Sequence, residues 1–450
     1  MNRYAFVGLG MAIGFVAAVG LQQAAQGAND PTAYRQLDLF SDAFERVRAN
    51  YVRPVQDEEL VSAAIEGMVS NLDPHSAYMT KKGYDDMKTE TSGEFGGLGI
   101  EIQQEDGLIK VISPIDDTPA ARAGIKPGDY ITGINGTSVQ GMTQSDAVDK
   151  MRGAVGSKVT VTILRTENKK PLKPFDLTLT RAVITAATAR YHREGDVAYI
   201  RLTSFISEKT ASEFEKAVAT LKKQIGPGLK GYVLDLRKNP GGLLDQAIQV
   251  SDDVLTQGEV VSTRGRHPED TQRYDAKKGD ITDGKPIIVL VDSGSASASE
   301  IVAGALQDHK RATVVGMTSF GKGSVQTIMP LGEGGGALRL TTARYYTPSG
   351  HSIQAQGIIP DIQVASGDEN EALTALRPSE ADLKGHLDGE TAPAKRANAP
   401  VVRPVAGKKY LMSGIDDFQL AYAVDLLNGK MTVAVAKPVA PAGKPAPKAN

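Results

Sequence analysis

Between Asp292 and Gln326 the chain reads DSGSASASEIVAGALQDHKRATVVGMTSFGKGSVQ, a stretch with the makings of an acyl-transfer site. An apolar strand pattern, Pro286 to Val291, ends at a run of alternating Ser and Ala. A helix pattern follows, then a second apolar strand, Ala312 to Val315, then Lys322 between two glycines. A small hydroxyl residue at a strand-to-helix corner can stand exposed as a nucleophile. A lysine on the next strand–loop unit can take its proton. Serine before lysine, with no catalytic-looking histidine beside them, points to a serine–lysine hydrolase. The residues alone do not choose among Ser295, Ser297 and Ser299. SASAS also reads as a tight helix start capped by Ser295.

Lys322 has a rival reading. Gly316 to Gly323 nearly spells the phosphate-cradling loop G-x-x-x-x-G-K-[ST], but Gly323 stands where that loop needs a hydroxyl for Mg²⁺. That loop should also open a helix, whereas VQTIMPL reads as a strand. A base must be neutral at rest, so Lys322 has to be desolvated or set near another cation. Small and apolar neighbours, with no carboxylate between Met317 and Met329, suit that.

A second element is Leu234 to Gly242, LDLRKNPGG, after an apolar strand (Tyr232 to Leu236) and before a helix pattern from Leu243 onward. Two glycines at a helix start let backbone N–H groups approach a developing negative charge. An ordinary strand–turn–helix corner would read the same way. The six histidines, His75, His192, His267, His309, His351 and His386, show no metal-ligand spacing, and the chain has no cysteine. No metal or cofactor is implied. A Ser-His-Asp arrangement through His309 or His351 stays open. The net charge of −2 gives no nucleic-acid footprint.

SGSASASEI followed by SFGKGSVQ resembles the active-site motifs of the carboxy-terminal processing peptidases, or tail-specific proteases. That family sets its serine 25 residues before the lysine and a glutamine 4 residues after it, which here are Ser297 and Gln326. The resemblance runs from about residue 35 to residue 365. It implies Ser297 as nucleophile, Lys322 as base and Gln326 as the residue that orients the lysine. It further implies an oxyanion hole from Gly241 or Gly242 with the amide of Ala298. Lys238 stands where the family usually has Asn.

Residues Ser92 to Arg181 carry a second resemblance. Ala120-Ala121-Arg122-Ala123-Gly124-Ile125, Gly128-Asp129 and Ile134-Asn135-Gly136 resemble a PDZ domain. Such domains add an extended peptide to a sheet edge and hold its terminal carboxylate in a glycine-rich loop. That loop is expected at Gly96, Gly97, Leu98, Gly99 and Ile100, with a helix from Thr143 to Ala154 as pocket wall.

The elements that must position these sites follow from the rest of the chain. Its 450 residues, 41% hydrophobic, can bury a large core and divide into two or three domains. Asn2-Arg3, the apolar stretch Tyr4 to Leu21 and the small residues Ala24 to Ala28 read as a signal peptide or membrane anchor over 1–28. Leu37, Phe40, Phe44 and Val47, then Leu60, Ala64 and Met68, recur at helical spacing, giving a helical segment over 32–90. DPHSAY, from Asp73 to Tyr78, joins it to the PDZ domain at 91–183, with His75 structural rather than catalytic. Residues 184–365 alternate strands and helices, an α/β pattern. By resemblance this peptidase core is a crotonase-like ββα spiral with the PDZ domain inserted. Residues 366–450 read as a linker, one amphipathic helix at 415–428 with Phe418, Ala421, Val424 and Leu427 on a face, and a disordered Ala/Pro/Lys tail from Lys437, all a solvated extension.

The expected activity is that of a periplasmic or otherwise extracytoplasmic serine endopeptidase, secreted or anchored to the inner membrane, that selects proteins by their C-terminal tails. A catalytically silent PDZ scaffold of the cell envelope is the alternative. An adaptor protein, membrane anchoring and a homo-oligomer are left open as partners.

Overall fold

The computed structural model describes residues 31–366, 378–390 and 401–430, apart from residues 106, 116, 168, 169, 186, 278, 333 and 406. The expected signal or anchor over 1–28 and the tail from Lys437 lie outside the described residues. Two units are distinguished, residues 1–69 and 70–450.

The first unit is helical, with α1 at Pro31–Asn50 and α2 starting at Asp57 and ending at Ser70. Leu37, Phe40 and Val47 share a stripe on α1, yet all three are exposed.

The second unit begins with the 73–76 turn, strand β1 (Ala77–Met79) and α3 (Lys81–Thr91), whose N-cap Thr80 accepts from Gly83 N. A PDZ-type sheet follows, built from β2 (Glu94–Gly97), β3 (Ile100–Glu105), β4 (Leu108–Pro114) and β5 (Tyr130–Ile134), then helix α4 (Gln144–Met151), β6 (Lys158–Leu164), β7 (Phe175–Thr180) and β8 (Ala182–Thr185). The main sheet runs β7-β6-β5-β4-β3, while β2 pairs separately with β8. Lys158–Leu164 alternates buried Val159, Val161 and Ile163 with more open residues, the period of a half-buried strand. Thr143 caps the start of α4 in a box with Asp146, and the helix stops at Met151 rather than Ala154 because Arg152 turns extended, at φ −70° and ψ 165°.

The core sheet is ordered from β9 (Ala189–Glu194) and β10 (Val197–Leu202) through β11 (Gly231–Asp235), β14 (Ile287–Val291) and β15 (Ala312–Gly316) to β18 (Ile362–Gln363). Only the β9–β10 pair is antiparallel. Central parallel strands are covered on both faces and so read as unbroken apolar runs; GYVLD and IIVLV are buried throughout. The period-two alternation divides them. Tyr232, Leu234, Ile287, Val289 and Val291 face one core, with α5 (Thr210–Ile225), α6 (Leu244–Asp252) and α7 (Ala298–Asp308). Val233, Ile288 and Leu290 face another, closed by α8 (Phe418–Leu427). Strands β12 (Glu259–Gly265), β13 (Gln272–Asp275), β16 (Ser324–Pro330) and β17 (Ala337–Tyr346) form a second sheet with β1.

The C-terminal part departs from the expected linker and solvated helix. Residues 378–390 pack on the core, and Val402 bridges in parallel to Val364. The helix begins at Phe418, with Asp417 as N-cap; Ile415–Asp416 pairs instead with Leu411–Met412. Phe418, Leu420 and Ala423 are its most buried apolar residues. Arg237, at the end of β11, binds Asp235 and reaches Asp417 through Nη1 at 2.9 Å and Nη2 at 2.7 Å. Docking on a sheet face that would otherwise be bare is what the apolar side of this helix is for.

Candidate active site

Ser297 sits where β14 hands over to α7, as the residue before the helix. Its backbone is at φ 53°, ψ −112°, a conformation costly for a residue with a Cβ and found where surrounding contacts over-determine it. The three serines of the run separate here. Ser295 Oγ donates to Leu236 O at 2.8 Å and accepts from Asp292 N, and Ser299 Oγ donates to Asn239 O at 3.0 Å. Both hydroxyls are therefore occupied in tying the serine corner to the LDLRKNPGG loop. Ser297 alone occupies the strained corner.

That loop lies against the corner. Gly241 has φ 93°, and a Cβ there would fall 2.9 Å from Ser297 Cβ and 2.9 Å from Ala298 N, so no other residue fits. Asn239 is fully buried; its Nδ2 donates to Leu202 O at 2.8 Å, which leaves Oδ1 to accept Gly241 N at 2.9 Å. Gly241 N–H is thereby committed. Among the described residues the N–H groups of Gly242 and Ala298 carry no such bond, and they are the two amides of this corner able to meet a new anion. Of the two glycines, the geometry favours Gly242 as donor and assigns Gly241 the close approach.

Lys322 lies in the loop between β15 and β16. The strand after it and the Cβ position of Gly323, only 2.2 Å from Gln354 N, remove the phosphate-loop reading, because neither a helix nor a hydroxyl side chain can stand there. Burial pushes the Lys322 ammonium below its ordinary range and Arg339 adds to this; Glu380, Glu300 and Asp73 pull the other way. Gln326, at a bulge in the β16–β17 pairing, donates to Ser324 Oγ at 3.0 Å and Thr341 Oγ1 at 3.2 Å. Among the described contacts neither Gln326 nor Ser297 is hydrogen-bonded to Lys322.

What joins the serine corner to the lysine loop is a residue the sequence reading passed over. Glu300, on the first turn of α7, has no exposed surface. One carboxylate oxygen accepts Ser297 N at 2.7 Å and Lys322 N at 2.9 Å; the other accepts Gly321 N at 2.7 Å and Ser319 Oγ at 2.5 Å. Burial pushes this carboxyl up to about 7 against four donors that favour its charged form. The signal was present as Ser-x-x-Glu, the capping-box spacing, which places the glutamate over the helix start. Nothing in the sequence showed that the same carboxylate would also reach the lysine loop.

Among the described contacts no histidine is hydrogen-bonded to Ser297. His309 Nε2 meets Glu259 O at 2.7 Å, and His75 Nε2 lies 2.8 Å from Glu380 Oε2.

In the PDZ unit a cavity of about 160 Å³ is lined by Phe95, Gly97, Leu98, Gly99, Ile100, Ile102, Val148 and Met151, with Arg152 at its edge. Gly97, Leu98, Gly99 and Ile100, four of the five residues expected to form the loop, line this cavity. Gly96 is not among the lining residues; the Gly153 carbonyl fills its Cβ position. Gly99 turns the chain at φ 76°.

Comparison with known proteins covers most of the chain. Family models match residues 11–83 (activating protease CtpB N-terminal domain), 86–164 (PDZ domain) and 196–364 (peptidase family S41). The chain is 52% identical over 412 residues to the carboxy-terminal-processing protease of Bartonella bacilliformis, spanning 91% of this chain and 92% of that one. With the carboxy-terminal processing protease CtpA of Bacillus subtilis it shares 36% identity over 335 residues, 74% of this chain and 70% of the other. Among solved structures, the photosystem II D1 C-terminal processing protease aligns at 29% identity over 72% of this chain and 92% of its own, with a TM-score of 0.43. The chain therefore belongs to the carboxy-terminal processing proteases, PDZ-containing serine peptidases of family S41.

Proposed function

We propose that this peptidase cuts proteins captured by their C-terminal tails, with Ser297 as nucleophile and Lys322 as the proton-transfer group. Ser297 Oγ attacks the peptide carbonyl as its proton passes to the neutral Lys322 Nζ. The oxyanion forms against the amides of Gly242 and Ala298, at the positive end of α7. Lys322 then gives the proton to the departing amine, and water, deprotonated by the same lysine, releases the acyl group. The observation that carries this reading is Glu300, one carboxylate that accepts both Ser297 N and Lys322 N and so sets the two residues in one frame. Side-chain bonds between nucleophile and base are often loose until substrate binds, so a Ser297–Lys322 bond is expected to close in the complex.

The PDZ cavity supports tail capture. Its apolar walls suit a terminal aliphatic side chain, and the Leu98–Gly99 turn offers backbone amides to a carboxylate.

Cleavage of an unfolded protein by wild type, Ser297→Ala and Lys322→Arg tests the chemistry. Both variants should lose activity by ~10²-fold or more, since a guanidinium stays protonated and cannot serve as base. Wild-type cleavage by either variant would overturn the assignment.

A further inference from the structure

Glu380 is completely buried, yet it lies beyond residue 364, where the peptidase match ends. A buried carboxylate is costly unless it is paired and hydrogen-bonded. This one accepts from His75 Nε2 through both oxygens, at 2.9 and 2.8 Å, and from Gln354 Nε2 at 2.9 Å. Burial would raise its pKa, but these bonds and the nearby charges of His75 and Lys322 hold it below its ordinary value.

Its surroundings point to the lysine loop. Glu380 N donates to Phe320 O at 3.0 Å, two residues before Lys322. Gln354 accepts Gly323 N at 3.0 Å, one residue after it, and Nε2 of the same Gln354 also donates to Leu387 O at 3.0 Å. The far end of the segment is pinned as well, where Glu390 pairs with Arg344 Nη1 at 2.7 Å and with the Tyr346 hydroxyl on β17. Val364 and Val402 bridge to each other, so the chain leaves the core sheet, crosses the lysine loop as a strap and returns to the same edge. In the 73–76 turn that carries His75, Asp73 accepts from Ser76 and Thr341, and its charge acts on Lys322.

We propose that Glu380 is a positioning residue for Lys322: the strap at residues 378–390, His75 and Gln354 form one bracket that holds Phe320 to Gly323 where the lysine can take a proton. The proposal rests on Lys322 as the base. Charged groups acting on Lys322 are Arg339 from β17, Glu300 from α7, Asp73 from the turn and Glu380 from the strap, with the His75 ring bonded to Glu380. The negative charge of Glu380 favours the protonated lysine, so its removal has a sign that can be read.

The test uses the full-length enzyme with an unfolded protein substrate from pH 5 to pH 9. Glu380→Gln should lower kcat by ~10- to 100-fold, as expected for a misplaced catalytic group, with KM within about twofold. The rising limb of its pH profile should move to lower pH, because a charge that holds the lysine protonated is gone. A purely structural role would depress the rate without moving the limb, and that result would overturn the proposal, as would wild-type kinetics. His75→Gln, which leaves the strap carboxylate in place, should also lower kcat at constant KM; it carries the test if Glu380→Gln shows no cooperative melting, and wild-type kcat would then refute the bracket. Lys322→Ala separates the two readings. Activity in that variant sinks the lysine assignment itself; an inactive Lys322→Ala beside normal bracket variants sinks only the bracket.

Discussion

Replacing Glu300 by glutamine keeps the shape of the side chain and changes one oxygen into a donor. Each carboxylate oxygen now faces two donors, Ser297 N and Lys322 N on one side, Gly321 N and Ser319 Oγ on the other. Whichever way the amide turns, its NH₂ group meets two donors and two hydrogen bonds are lost. Ser319 Oγ has little freedom to adapt, because it already accepts Ile358 N at 2.7 Å. Hydrogen bonds to a charged group contribute about 1.5–3 kcal/mol each, so at least about 3 kcal/mol of restraint on this corner disappears. If that restraint sets the serine–lysine geometry, the cost is about a hundredfold in rate. Initial rates of protein cleavage at pH 8 should therefore fall by ~10²-fold in Glu300→Gln. The pH dependence of stability provides a second readout. The folded-state pKa of about 7 exceeds the ordinary 4.5, so the folded protein holds a proton there that the unfolded chain has released. The contribution of Glu300 to stability is then complete below about 4.5 and is lost as pH rises through about 7. Melting curves should show wild type gaining most over the variant at pH 5 and less at pH 8. Cleavage within about threefold of wild type, or a stability gap that widens with pH, would refute this account of Glu300.

Two further outcomes follow. Amidating the C-terminus of a long peptide substrate, or placing valine at Gly99 (φ 76°, with Thr118 Cβ 2.3 Å from any added Cβ), should raise KM far more than it lowers kcat; equal cleavage of free and amidated peptides would remove tail recognition while leaving the serine–lysine chemistry intact. Asp417→Ala removes a partner of the largely buried Arg237 and the N-cap of α8, so denaturant titration should show a loss of ~3–5 kcal/mol; a midpoint equal to wild type would show that the helix docks by its apolar face alone.

Much of the core was legible because its signals are local. The unbroken apolar runs at Tyr232 and Pro286 identified buried strands, and the glycines at 241 and 242 marked a helix start where backbone amides are open to approach. The two motifs and their spacing named Ser297 and Lys322. What residue type could not do was rank equivalent groups. Ser295, Ser297 and Ser299 became distinct only when Leu236 O and Asn239 O took two of the hydroxyls. Likewise Gly241 and Gly242 separated only once the Asn239 amide was committed at both ends.

The tail shows the limit most clearly. Residues 378–390 have the Ala/Pro/charge composition of a linker on either side, and composition carries no record of the surface a segment will meet. Helix periods, buried strands, capping boxes and turn glycines depend on neighbours a few residues away, so the sequence alone determined them, along with the family. Which carboxylates would be buried, and against what, depends on contacts spanning up to 305 residues, from His75 to Glu380. Only tertiary structure could make Glu300 a bridge between serine and lysine loops, and bring Glu380 back over Lys322, because burial and pairing are properties of the packed chain and not of any one segment.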